Sequence, residues 1–286
     1  MKPAAFEYHR PDDLPSALAL LRAHEDASVL AGGQSLVPMM NYRLAQPDHL
    51  VDINRIDELD FIRAESAVIV IGALARHRTI QSSPLIAERL PMVAHAYEWI
   101  AHAAVRNRGT LCGNLCHADP ASEMPALMQV LEAEMVLARA DGTRRVPAVE
   151  FFTGTYETAR AAGEMLTEVR IPTPPAGSGW GFEEVSMRKG DFAWAAVGCQ
   201  LRIDNGALVD VRMAAAGVGD CALRLRGIEA ALEGEPPSAD LFAQAAHDAA
   251  EALDPPDTAA VSADYRRDLV RALAPRALTA AVARAE

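Results

Sequence analysis

The chain has 286 residues, half of them hydrophobic and 23% charged, with a formal net charge of −12. That length exceeds one small domain and implies two or three packed units sharing a sizeable core. The acidic balance and the lack of any Lys/Arg block argue against a nucleic-acid partner, although a diphosphate can be held by backbone N–H groups without nearby lysines.

Four cysteines, Cys112, Cys116, Cys199 and Cys221, are too few for a disulfide scaffold in a chain of this size. Met1 to Arg10 lacks the apolar core of a signal peptide, and no apolar run is long enough for a bilayer. The expectation is a cytoplasmic protein without a membrane span.

In chain order, Asp12 to Glu25 carries Leu14, Ala17, Leu18 and Leu21 at helical spacing. Ser28 to Ala31 reads as a short buried strand running into Gly32-Gly33-Gln34-Ser35. Leu50 to Ile53 and Ala67 to Leu74 are further strands. Pro84 to Arg106 turns helical and is stopped by Asn107-Arg108-Gly109. A second glycine-bearing segment, Thr110 to Pro120, leads into a helix over Glu123 to Glu132. Met135 to Phe151 predicts a hairpin turning at Asp141-Gly142.

The Pro/Gly-rich run Pro172 to Gly179 is the clearest linker. Beyond it, Gly181–Met187, Phe192–Ile203 and Leu208–Ala216 form an antiparallel meander with a tight turn at Asn205-Gly206. From Ala222 onward the chain is Ala- and Leu-rich helix, broken at Pro236-Pro237 and Pro255-Pro256. The fold class is α+β. The expected division is residues 1–58, 59–176 and 177–286.

Two segments carry the chemistry. Paired glycines at Gly32-Gly33 let a backbone turn sharply and bring consecutive N–H groups to an anion; a ligand-free tight turn is the competing reading. Thr110 to Glu123 offers hydroxyls (Thr110, Ser122), an amide (Asn114), an imidazole (His117) and carboxylates (Asp119, Glu123), with Gly113 allowing close approach. Such groups suit a ligand rich in neutral hydrogen bonds, and a self-satisfied structural loop is the alternative. Cys112, Cys116 and His117 lack zinc-site spacing, so no metal is expected. Gly217-Val218-Gly219 mimics a dinucleotide fingerprint, but no second parallel strand follows to complete it; a strand-to-helix corner is the expectation there. Phe192 and Trp194 flank a strand start, where aromatics usually serve the core.

Taken together, Phe6-Glu7-Tyr8-His9-Arg10-Pro11, Ala31-Gly32-Gly33-Gln34-Ser35-Leu36, Ile71-Gly72-Ala73-Leu74, Arg106 to Thr110, His117-Ala118-Asp119-Pro120 and Arg188-Lys189-Gly190-Asp191-Phe192 have a recognisable order. In that order the chain resembles the flavoprotein subunit of the xanthine dehydrogenase and aerobic carbon monoxide dehydrogenase family, over nearly its whole length.

The resemblance implies a two-lobed FAD-binding fold of the vanillyl-alcohol-oxidase/PCMH type, then a C-terminal domain of a small antiparallel sheet with helices. It implies non-covalent FAD on this chain. A molybdopterin large subunit and a small subunit with two 2Fe–2S centres would be partners, in a dimer of heterotrimers. The flavin would collect electrons from the iron–sulfur centres and pass them to an external acceptor, with no catalytic residue of this chain touching the organic substrate.

Residue by residue, the resemblance puts Ala31, Gly32, Gly33, Gln34 and Ser35, with Thr110, Leu111, Cys112, Gly113 and Asn114, around the FAD diphosphate, and the flanking Leu30 and Leu36 among the cofactor-binding residues. His117, Asp119, Ser122 and Glu123 would follow the ribityl chain and adenosine. Leu166 or Thr167 would lie near the adenine or ring edge, and Phe192 over one face of the isoalloxazine. Three positions depart from the family: Cys112 replaces a usual Gly and narrows the freedom of its loop, Ser28 replaces a frequent Lys or Arg, and Glu123 replaces a commoner Asp. The rival reading is a stand-alone flavin oxidase of the same fold, for which about a hundred residues after the linker are few. A binding protein that has lost FAD is the other.

Overall fold

Three main sheets organise the computed structural model, which describes residues 1–285. In the first, β1 (Glu7–His9), β2 (Ser28–Leu30) and β3 (His49–Asp52) are parallel, in the order β1-β3-β2. Parallel neighbours need crossovers, supplied here by α1 (Leu14–Ala23) and by α2 (Leu36–Asn41) with the turns around it. Asp13 caps α1 by accepting from the Ser16 N–H at 2.7 Å, and the helix buries Ala17, Leu18 and Leu21, as its spacing predicts.

The second sheet is antiparallel throughout. It contains β4 (Ile62–Glu65) and β5 (Val68–Gly72), then after a helical insertion β6 (Glu134–Arg139), β7 (Gly142–Pro147) and, beyond a two-stranded ribbon of β8 (Phe152–Gly154) and β9 (Glu157–Thr158), β10 (Met165–Pro172). The order is β4-β5-β10-β6-β7. Central β10 has no counterpart in the sequence reading. A register shift between Leu166 and Glu168 interrupts its alternation, which is why periodicity alone hides it.

Two helical expectations are corrected. Pro84 to Arg106 is not one helix: α3 (His77–Gln81) is followed by α4 (Pro84–Arg89), α5 (Pro91–Ala96) and α6 (Ala103–Arg106). Pro91 has no N–H with which to extend the preceding helix, so it opens a new one, and Ala101 at φ +49° breaks the chain again. Thr110 to Pro120, read as a glycine-bearing loop, is mostly α7 (Leu111–His117). The Thr110 hydroxyl caps it, accepting from the Gly113 N–H at 3.0 Å. The restriction expected from Cys112 therefore disappears, because a helical backbone suits any ordinary side chain there. The predicted helix that follows is α8 (Glu123–Val130), preceding a short α9 (Ala148–Phe151) after β7.

The third sheet is the predicted meander, β11 (Gly179–Ser186), β12 (Ala193–Asp204) and β13 (Ala207–Ala216), extended by β14 (Leu223–Arg224). The Gly217 corner therefore joins strand to strand rather than strand to helix. The helices begin only at α10 (Arg226–Leu232), followed by α11 (Ala239–Ala252) and α12 (Ala263–Ala285). Gly179 and Gly181 let α12 lie directly on the sheet, since a Cβ at either would collide with the backbone of Ala281 or Ala277. The sheet is tied to the second unit by Ala193 N–H to Ala121 O (3.3 Å) and Gly217 N–H to Pro120 O (2.7 Å). Among the described residues, no helix is long and apolar enough to cross a membrane.

Candidate functional site

A cavity of about 520 Å³ opens where the three sheets approach one another, within the range of roughly 300–1,000 Å³ usual for ligand pockets. Its wall takes Leu30 to Leu36 without a gap, then Thr110, Cys112, Gly113, Asn114, His117, Ser122, Glu123, Leu166 and Phe192. The positions singled out in sequence thus converge from all three sheets.

Two do not line it. Leu111 is fully buried in the main core. Asp119 is turned away: one carboxylate oxygen accepts from the Ala121 N–H (2.9 Å) and the other from the Tyr156 hydroxyl (3.2 Å). Thr167 is also outside the wall, its hydroxyl donating to Val136 O at 3.1 Å, so of the two β10 alternatives Leu166 faces the cavity.

The Gly32 loop owes its shape to its neighbours. A Cβ on Gly32 would collide with the Arg108 carbonyl oxygen and come within 2.7 Å of Gly109 Cα, so the two chain segments touch through glycine. Gly33 has φ +70°, the left-handed region that glycine adopts without strain. Among the described residues, no carbonyl or side chain takes the N–H groups of Gly32, Gly33, Gln34 and Ser35. Gly32, Gly33 and Ser35 are half-buried and Gln34 is exposed, so these amides are free to bond an anion that enters the cavity. Cradle and amides fit a diphosphate-bearing cofactor.

A polar network fixes this loop against the next. Asn54 Nδ2 donates to Ala31 O (2.8 Å) and to Asp52 Oδ1 (2.6 Å), while Arg76 reaches from Asn54 Oδ1 to Arg108 O, both at 2.5 Å. Neither Asn54 nor Arg76 carries a sequence signal, because their role exists only once the two segments meet.

Asn114 on α7 donates through its side-chain amide to the hydroxyl of Ser122, which precedes α8 (2.8 Å). Ala118 takes the left-handed conformation at the helix end, φ 51°, which turns the chain so that Ser122 and Glu123 come back to the cavity. Burial, and then the charge of Glu184, push the Glu123 carboxyl up to about 8. At neutral pH it is protonated and can donate a hydrogen bond. Glu184, raised to about 7 by burial, has both side-chain oxygens buried and unpartnered. His77 also lines the wall; burial, helped by the Arg106 charge, lowers it to about 4, so its ring is neutral and bonds Tyr97 at 3.1 Å.

Sequence reasoning missed His77, Tyr156, Arg160 and Asp191, all of which line the cavity. Asp191 lay inside a quoted motif. Arg160 is the Lys/Arg side chain in the wall among the described residues, and it faces the same cavity as Ser28, the position where a basic residue was expected. Phe192 is 54% exposed and stands at the rim.

Residues 4–174 match the family described as the FAD binding domain in molybdopterin dehydrogenase, and residues 180–281 match the CO dehydrogenase flavoprotein C-terminal domain. The carbon monoxide dehydrogenase medium chain of Hydrogenophaga pseudoflava is 42% identical over 286 residues, covering 99% of each chain. The caffeine dehydrogenase subunit beta of Pseudomonas sp. (strain CBB1) is 38% identical, covering 99% of this chain and 97% of its own. A solved structure of the H. pseudoflava carbon monoxide dehydrogenase, lacking the Mo-pyranopterin moiety of its cofactor, superposes with a TM-score of 0.96 at 43% identity, covering 99% of both chains. With both halves of the chain matched and the cavity built between them, the protein belongs to the FAD-binding medium-subunit family of the molybdopterin-dependent dehydrogenases, as its motifs imply.

Proposed function

We propose that the chain is the electron-transfer subunit of a molybdenum hydroxylase complex. It would accept electrons from 2Fe–2S centres of a small partner and pass them to an external acceptor. A molybdopterin large subunit would complete a heterotrimer, doubled in the assembly and located in the cytoplasm. Residues 1–58 and 59–176 would clasp the cofactor, and 177–286 would bring Phe192 to it. The observation that carries this reading is the unbroken cavity wall from Leu30 to Leu36, whose Gly32 to Ser35 amides lack protein acceptors, packed at Gly32 against the Arg108-Gly109 segment that leads into α7.

When bound, FAD supplies the capacity to take electrons singly and deliver them in pairs. The protein holds and orients it. Gly32 to Ser35 would offer N–H groups to the diphosphate, and Arg160 lies in the same wall as a counter-charge. Thr110, Cys112, Gly113 and Asn114 would flank the diphosphate; His117, Ser122 and neutral Glu123 would bond the ribityl and adenosine hydroxyls. Leu166 would pack at the ring or adenine edge, and Phe192 would cover an isoalloxazine face. The substrate of the complex is not written on this chain: relatives at 42% and 38% identity are named for carbon monoxide and for caffeine.

Mild acid denaturation of the purified chain should release all its yellow colour, as non-covalent binding requires; colour retained in the pellet would count against it. The isolated chain should not turn over carbon monoxide, aldehydes or N-heterocycles, and adding the large and small subunits should restore hydroxylation. Steady turnover by the chain alone would favour a stand-alone oxidase.

A further inference from the structure

Away from the cavity, three histidines distant in sequence converge on the first sheet. In the parallel pair β1/β3, Glu7 lies opposite His49. Side chains alternate along a strand, so Glu7, His9 and His49 share one face. His24, the residue that ends α1, comes down on that face and stacks on His49, ring centroids 3.7 Å apart. None of the four residues lines the cavity.

Each imidazole places one ring nitrogen within 4.8 Å of the other two. His9 Nε2 and His49 Nδ1 are 3.0 Å apart, and Glu7 Oε2 stands 3.9 and 3.7 Å from them. A tetrahedral Zn²⁺ with N and O ligands at about 2.0–2.1 Å sets its ligand atoms about 3.3 Å apart. The separations among His9, His49 and Glu7 bracket that value, and the His24 nitrogen lies within 4.8 Å of both histidine nitrogens; His24 reaches the shared centre by turning out of its stack on His49. His9 and His49 bond through one ring nitrogen each, and half-buried His24 makes no side-chain hydrogen bond to a described residue, so its nitrogens are available to a ligand.

From this geometry we propose that His9, His24, His49 and Glu7 form a binding site for one divalent cation of the zinc class. Three imidazoles and one carboxylate are a borderline donor set that suits Zn²⁺, Ni²⁺ or Cu²⁺ over Mg²⁺ or Ca²⁺. The surroundings support it. The Asp26 carboxylate accepts from the Asp48 N–H (2.9 Å) immediately before His49, and Asp48 O accepts from the Glu7 N–H (2.7 Å), so both ligand-bearing segments are fixed from behind. A bound cation would clamp the first strand and the end of α1 to β3. Spacings of 15 and 25 residues match no zinc signature, which is why sequence reading passed over them.

The test uses the full-length, FAD-loaded chain, stripped with a chelator and then dialysed against Zn²⁺. One zinc per chain is expected, with unchanged flavin content. His24→Ala and His49→Gln should each weaken zinc by at least about tenfold, whereas Cys116→Ser should not. Zinc retained at one per chain by the His24→Ala/His49→Gln double variant would overturn the site, as would failure of the wild type to retain any. A second readout is independent of variant folding: the electron paramagnetic resonance spectrum of Cu²⁺ added to the wild type. Splitting from imidazole nitrogens supports the cluster; a sulfur-ligated or nitrogen-free spectrum overturns it.

Discussion

The two glycine-bearing segments lie in one cavity wall, yet they are built in opposite ways. Leu30 to Leu36 stays irregular over its middle, with Gly33 in the left-handed region and four successive amides lacking acceptors. Thr110 to His117 is a capped helix that satisfies its own backbone, and Gly113 within it has ordinary helical geometry. The same residue type therefore means different things. In the first segment glycine is required by the closeness of another stretch of the same chain, Arg108 and Gly109 at Gly32. In the second, side chains rather than backbone groups line the cavity. An open loop offers N–H groups; a closed helix offers side-chain groups at fixed spacing.

The comparison breaks or holds first at Gly32. Gly32→Val would drive a branched side chain into the Arg108 and Gly109 backbone, an overpacking cost of about 3 kcal/mol. FAD affinity should fall about 100-fold. Gly33→Val should do less, because its Cβ meets the movable Leu30 and Val37 side chains at 3.1 and 3.2 Å and mainly bears the left-handed strain. FAD titrations of both variants matching wild type would remove the loop from the site.

Glu123 probes the second segment through pH. Its carboxyl sits at about 8 and that of Glu184 at about 7, both above the ordinary 4.5. The folded chain thus keeps protons that the unfolded chain has already lost. That contribution to stability is complete below about pH 4.5 and is lost as pH rises to about 8. His77 acts in the other direction: held near 4, it makes the fold lose stability as pH falls from 6.5 towards 4. Glu123→Gln should flatten the alkaline decline by on the order of 2 kcal/mol between pH 5 and 8, read as Tm against pH in the flavin-free chain. Parallel curves for variant and wild type would show that Glu123 is not buried as a neutral acid.

Thr110→Val removes the hydroxyl that caps α7, which should cost about 1 kcal/mol of stability and only a few-fold in FAD affinity. A loss of affinity as large as at Gly32 would show that this segment, too, works through its backbone. Phe192→Ala should have the smallest effect on stability, within about 0.5 kcal/mol, since the ring is more than half exposed. It should change the flavin spectrum, potential or reoxidation rate more than the affinity. If all three match wild type, Phe192 does not cover the flavin.

Much of this architecture is legible in residue order. The α1 stripe, the β6–β7 hairpin and the C-terminal meander follow from local periodicity and turn residues, which act over a few neighbours. Local signals also misled. Pro91 and Ala101 divide an apparently continuous helix, and at Thr110 a glycine that suggests a loop lies inside a capped helix.

What the sequence determined by itself was the family, the two segments that line the cavity and those strands and helices with an unbroken local pattern, since each is carried by contiguous residues. Only the tertiary structure decided which members of those segments face the cavity. Leu111 and Asp119 belong to the motif yet turn into the core and towards Tyr156, because helix phase and a left-handed Ala118 set their directions. It also decided the partnership of Asn54 and Arg76 with two loops, and the meeting of His9, His24 and His49. Those groups come together through strand pairing and helix packing. Such distances have no image in local spacing, because chain folding brings residues tens of positions apart to within a few ångströms.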